Sequence, residues 1–200
     1  MRWLDRLEET LIATLIASAT IIIFAAVLHR YAISIDAAVL GWARRNDHEA
    51  VMSLAKSVIR LLQNINLTWA QELTIYLFVW MAKFGAAYGV RTGIHVGVDV
   101  LITRLSPQRR KPIVLFGLLC GALFTFTVGT LGATFVWEIA HTEQVSADLE
   151  LPMWLVYLAV PLGSYLMCFR FLQVAYSFNR TGELPHHDHG HVEGLEESVI

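Results

Sequence analysis

The stretch that decides the fold runs from Thr68-Trp69-Ala70-Gln71-Glu72 to Val96-Gly97-Val98-Asp99-Val100. Between Glu72 and Arg91 lie 18 residues carrying one charge, Lys83. At about 1.5 Å per helical residue they extend about 27 Å, close to the thickness of a bilayer's hydrocarbon core. Trp69, Tyr76 and Tyr88 fall near the two ends, where amphipathic rings prefer the headgroup zone. The spacing predicts a membrane-spanning helix over about 73–90 with polar clamps at both ends. Lys83 is costly in lipid, so it either snorkels to the nearer surface or faces a partner subunit or lipid phosphate. Helical side chains lean toward the N-terminus, away from that nearer surface, which favours the second reading. Gly85 and Gly89 form a GxxxG pair suited to close helix approach.

Beyond Arg91, residues 94–102 alternate apolar and polar like a strand. An unpaired strand beside a bilayer cannot satisfy its backbone, so a second interfacial helix is expected, with His95 and Asp99 one turn apart as a hydrogen-bonded pair. Two ligands alone make a poor metal site. Arg104, Arg109, Arg110 and Lys111 then form a basic cluster suited to anionic headgroups. The next span, about 113–137, is uncharged and repeats Gly117, Gly121, Thr125, Gly129 and Ala133 every fourth residue, a ridge for a close helix contact. An acidic loop with Glu138, Glu143, Asp148 and Glu150 separates it from a fourth span, about 152–169. Pro152 suits that span's first turn, and Pro161 should kink it and free a carbonyl near Tyr157. Residues 181–200 read as a flexible, His-rich acidic tail, whose four close histidines suit a divalent metal less than they suit plain solvation.

On the N-terminal side, Arg2 and Arg6 precede an uncharged run from Thr10 to Leu28 that is too long for a cleaved signal, so a retained span is expected, ended by His29 and Arg30. Within residues 31–67, Asn46 and Glu49 resemble a capped helix start. Val51, Leu54, Val58, Leu61 and Leu62 then line one face of an amphipathic insertion over about 47–64. Such a helix either lies flat in the interface or packs on the transmembrane bundle. The composition agrees: 56% hydrophobic, 16% charged and a net charge of −2 describe a polytopic membrane protein without a nucleic-acid-binding stripe. Cys120 and Cys168 lie in apolar runs and read as free thiols. The fold class is therefore an all-α integral membrane protein, with four transmembrane helices plus one or two amphipathic interfacial helices. Lysine and arginine are frequent at both termini and in 91–111 but absent from 138–150, which places both termini in the cytoplasm. Arg44, Arg45, Lys56 and Arg60 run against that count.

The order Trp69, Glu72, Phe78-Val79-Trp80-Met81, Gly85-Ala86-Ala87-Tyr88, Arg91, Gly93, His95 and Asp99 resembles the small membrane subunit, the DctQ family, of TRAP (tripartite ATP-independent periplasmic) transporters. A second match follows in Leu149-Glu150-Leu151-Pro152-Met153-Trp154 through Pro161-Leu162-Gly163, with Arg170 after it. With the first helix and Arg30, the resemblance covers most of residues 1–175. Where the family often has two consecutive acids, this chain has Gln71-Glu72.

The resemblance implies a bacterial inner-membrane scaffold, not an enzyme. A periplasmic substrate-binding protein would deliver an organic acid, most readily a C4-dicarboxylate such as succinate, malate or fumarate. A large elevator-type membrane subunit would bind Na+ and carry the acid across. The small subunit would grip that subunit through its helix ridges, while Trp69, the amphipathic insertion and the basic cluster at Arg109, Arg110 and Lys111 would anchor it in lipid. Arg30 ends the first span on the side where Glu72 begins the second, so the two are expected to pair. The residues themselves show no nucleotide loop, no nucleophile with a base and no cofactor motif. They leave two alternatives: a small autonomous transporter, or the membrane anchor of a respiratory cytochrome complex, although His29, His95 and His141 lie outside the spans.

Overall fold

A computed structural model of the chain describes residues 2–92 and 107–182. Among the described residues six helices follow in order: α1 (Arg2–Arg45), α2 (Glu49–Gln63), α3 (Thr68–Thr92), α4 (Pro107–Ala140), α5 (Met153–Tyr157) and α6 (Ala159–Thr181). Among the described residues the only β feature is an isolated antiparallel bridge between Val145 and Pro152. Four stretches are long and apolar enough to cross a membrane: Arg6–Arg45, Thr68–Thr92, Arg110–Ala140 and Met153–Thr181. The chain is an all-α, four-span membrane protein. The second interfacial helix, His95, Asp99 and the His-rich tail lie outside the described residues.

α1 differs from the sequence expectation. The helix does not stop at His29 and Arg30 but continues to Arg45, 44 residues in all. Charges end a membrane span because they seek water; they do not end a helix, and no proline interrupts residues 31–45. The extension has its own packing, since α2 folds back along α1. Ala43 and Ala55 are buried in that hairpin. At its other end the His29 ring nitrogen Nε2 donates to the Leu62 carbonyl at 2.9 Å.

The start of α2 also moves. Asp47 takes a left-handed φ of 53°, so the chain turns there and His48, not Asn46, occupies the cap position. The Asn46 amide instead donates back to the Trp42 carbonyl at 2.9 Å, and the His48 ring stacks on Trp42. The predicted apolar face of α2 is split. Val51 and Leu62 turn toward the buried side with Ala55, whereas Leu54, Val58 and Leu61 are exposed.

The fourth span breaks where its proline requires. Pro161 has no N–H to give the Tyr157 carbonyl, and the helix is interrupted at Leu158 between α5 and α6. The chain divides into two compact units, Met1–Ala82 with Trp137–Val156, and Lys83–Val136 with Tyr157–Ile200. In the first, the principal packing is the α1–α2 hairpin and the closure of the 141–152 loop. In the second, α4 packs against α6, with Val114 and Phe178 at the centre of a small apolar cluster with Leu115 and Leu118.

Candidate anchoring sites

In the first unit the organising side chain is Glu72, one turn into α3 and half-buried. Its Oε1 accepts from the Ala147 amide at 3.2 Å, and its Oε2 from the amides of Asp148 at 2.8 Å and Leu149 at 2.9 Å. The Tyr76 hydroxyl, one turn further along the helix, also donates to Oε1. Consecutive backbone amides in a tight turn form a concavity for an anion, and here the anion is a side chain of the same protein.

The loop is shaped to present those amides. The Ser146 amide donates to the Leu151 carbonyl at 2.8 Å, the Leu151 amide to Ser146 Oγ at 3.1 Å, and the Met153 amide to the Gln144 carbonyl at 3.0 Å. Glu150 completes the turn with a φ of 53°, and Pro152 stands at the bridge to Val145, just before α5 rather than in its first turn. The acidic loop is thus a closed hairpin cap locked to α3, and Trp154 follows half-buried in α5.

The expected Arg30–Glu72 pair does not form. Backbone amides and Tyr76 occupy the carboxylate, while Arg30 is exposed on α1. Arg30 instead borders a crevice of about 450 Å³ together with His29, Gln63, Asn66, Thr68 and Gln71. Trp69 is fixed at the start of α3 by donation from its indole to the Asn66 carbonyl at 3.1 Å.

In the second unit, close helix approach is set by glycines. A Cβ added to Gly121 would stand 2.9 Å from the Phe171 ring, and one on Gly129 would stand 3.0 Å from the Tyr165 ring. The predicted ridge on α4 therefore receives α6 of the same chain, with Thr125 buried between them. Gly132 joins it against Val160 and Pro161, and the Tyr165 hydroxyl donates to Thr130 Oγ1 at 3.2 Å. Gly117 at one end of the ridge, and the Gly85/Gly89 pair of α3, face open space instead. Among the described residues, those three serve no helix contact.

The tightest approach is at Gly163, whose Cβ would come within 2.6 Å of Lys83 Cβ and 3.3 Å of its backbone. Further along α6, Arg170 is fully buried and donates from Nη1 to Gln173 Oε1 at 2.7 Å, with its guanidinium 5.9 Å from the Phe169 ring centre. Lys111 donates to the Asn179 carbonyl at 3.0 Å, tying the start of α4 to the end of α6. Trp80 and Arg91 are half-buried on α3. Cys120 and Cys168 are free.

Outside these seams the helices are apolar and open. Only 6% of the first span's most apolar window is buried within the chain, against 39% in the fourth, so α1 is covered by lipid or by another protein. Four apolar spans, with a polar lock closing a loop and glycines setting the helix crossings, define a polytopic membrane protein. The chain belongs to the family described as "Tripartite ATP-independent periplasmic transporters, DctQ component", which it matches over residues 49–180. That family consists of transporter permease subunits, not enzymes, and this member is a multi-pass inner-membrane protein.

The chain is 61% identical to the C4-dicarboxylate TRAP transporter small permease protein DctQ of Rhodobacter capsulatus, over 98% of this chain and 86% of that one. A Vibrio cholerae protein of the same description is 32% identical over 70% of each chain. The isethionate TRAP transporter permease protein DctMQ of Oleidesulfovibrio alaskensis is 25% identical over 52% of this chain but only 16% of its own. No solved structure matches the chain.

Proposed function

We propose that this chain is the small permease subunit of a C4-dicarboxylate TRAP system, the stationary membrane scaffold against which a large elevator-type subunit moves. A periplasmic binding protein delivers succinate, malate or fumarate, and Na+ bound by the large subunit drives symport. The observation that carries the substrate class is the 61% identity to the Rhodobacter capsulatus C4-dicarboxylate subunit over 98% of this chain. The partner is supported by the DctMQ relative, in which the matching stretch takes up 16% of a much longer permease chain. A stationary role suits a subunit whose best-defined polar contacts are locks, with a carboxylate on three amides and a buried arginine on its own helix.

Both termini are cytoplasmic and the 141–152 cap is periplasmic, because the basic residues concentrate at the termini and in 91–111. A strain lacking this chain, supplied with it on a plasmid, tests the function by uptake of labelled succinate. Uptake that depends on the chain and on a sodium gradient is the expected result; uptake unchanged without the chain contradicts it. Alkaline phosphatase fused after residue 145 should be active and at the C-terminus inactive; the reverse pattern contradicts the orientation.

A further inference from the structure

Among the described residues, Lys83 is a charge in the middle of a span whose role the locks and seams leave open. Along α3 it stands eight residues, about 12 Å, from Arg91 and eleven residues, about 16 Å, from Glu72. Its Cβ is pressed against Gly163, so its backbone is pinned to α6. The residue is only half-buried, and among the described residues its ammonium has neither hydrogen bond nor ion pair. An ammonium at this depth needs a counter-charge, and the described residues supply none.

A lipid phosphate does not meet that need. A lysine stem extends about 6 Å and leaves the helix leaning toward the N-terminus, that is, toward the farther surface at Glu72. Either headgroup zone therefore lies beyond its reach. We propose that Lys83 pairs within the membrane with a carboxylate side chain carried on a transmembrane helix of the large subunit. This rests on the scaffold reading above and adds its fixed point of charge. Gly163 sets the position: because α6 stands against the Lys83 Cβ and backbone, the root of the side chain is held at a defined height on α3.

The test uses the tagged chain co-expressed with the large subunit and purified in mild detergent, as wild type, Lys83→Met and Lys83→Arg. Lys83→Met should accumulate in the membrane normally yet recover about tenfold less large subunit, because it leaves a buried carboxylate unpaired, whereas Lys83→Arg should retain it. A photoreactive p-benzoylphenylalanine in place of exposed Ala86, one turn from Lys83, should cross-link to the large subunit on irradiation. That readout decides even where Lys83→Met accumulates poorly. Wild-type recovery by Lys83→Met overturns the proposal. So does a Lys83→Met complex that keeps the large subunit but loses a bound phosphatidylglycerol in native mass spectra, or a cross-link to lipid alone. Failure of the wild-type chain to bring down any large subunit would overturn the scaffold reading instead, so the two failures are distinct.

Discussion

At the scale of single residues, the glycines sort themselves by what a methyl group would meet. At Gly163 it meets Lys83 Cβ at 2.6 Å and Lys83 backbone at 3.3 Å, neither of which can swing aside. Gly163→Ala should therefore push α3 from α6 and destabilise the subunit by about 1–3 kcal/mol, read from thermal unfolding in detergent. Gly121→Ala meets only the Phe171 ring, which can turn away, and should be milder. Gly89→Ala meets nothing among the described residues and should leave the isolated subunit at least as stable as before; if it lowers recovery of the large subunit, the partner's helix lies on that face.

Glu72 is the other decisive residue. Glu72→Ala removes the acceptor of three amides, so residues 146–149 should become cleavable by added protease in membranes where the wild-type loop resists. Glu72→Gln should do the same in part, since an amide nitrogen repels amide donors that a carboxylate oxygen accepts. Equal resistance of all three would show that the loop closes without its anion. Gln71 is exposed beside Glu72, and the lock uses a single acid.

At the scale of elements, α1 carries the clearest prediction. Its 44 residues extend about 66 Å, about twice a hydrocarbon core. In a chain with Cys120 and Cys168 replaced by serine, a cysteine at Phe24 should resist a membrane-impermeant thiol reagent and one at Arg44 should react. Protection at both sites would mean that the whole helix is embedded. Four spans were legible because hydropathy records contact with lipid. The break near Tyr157 was legible because proline's missing N–H acts within one helical turn. The length of α1 was not, because a helix end and a membrane surface are different boundaries and the charges at His29 and Arg30 report only the second. The true lock of Glu72 was equally hidden. Its partners lie some 75 residues away and are backbone amides, which every sequence offers everywhere; only the turn chemistry of Ser146 and the positive φ at Glu150 single these out. Helical periodicity found the ridge on α4 but could not say whose helix fills it, and the answer came from Tyr165 and Phe171 of α6.

At the scale of the whole molecule, a subunit with polar locks at its loops and apolar, open outer faces is incomplete by itself. Leu123, Phe124, Phe116 and Trp137 on α4 and Ile21 and Phe24 on α1 are each more than half exposed, and lipid or a protein partner must cover them. The scaffold account assigns much of that surface to the large subunit and the remainder to the bilayer. The most direct test is affinity purification of this chain from its own membranes in mild detergent, with every bound protein identified and quantified by mass spectrometry. The account predicts a larger polytopic permease at close to one copy per copy of this chain; recovery of the chain alone, or only with further copies of itself, would contradict it.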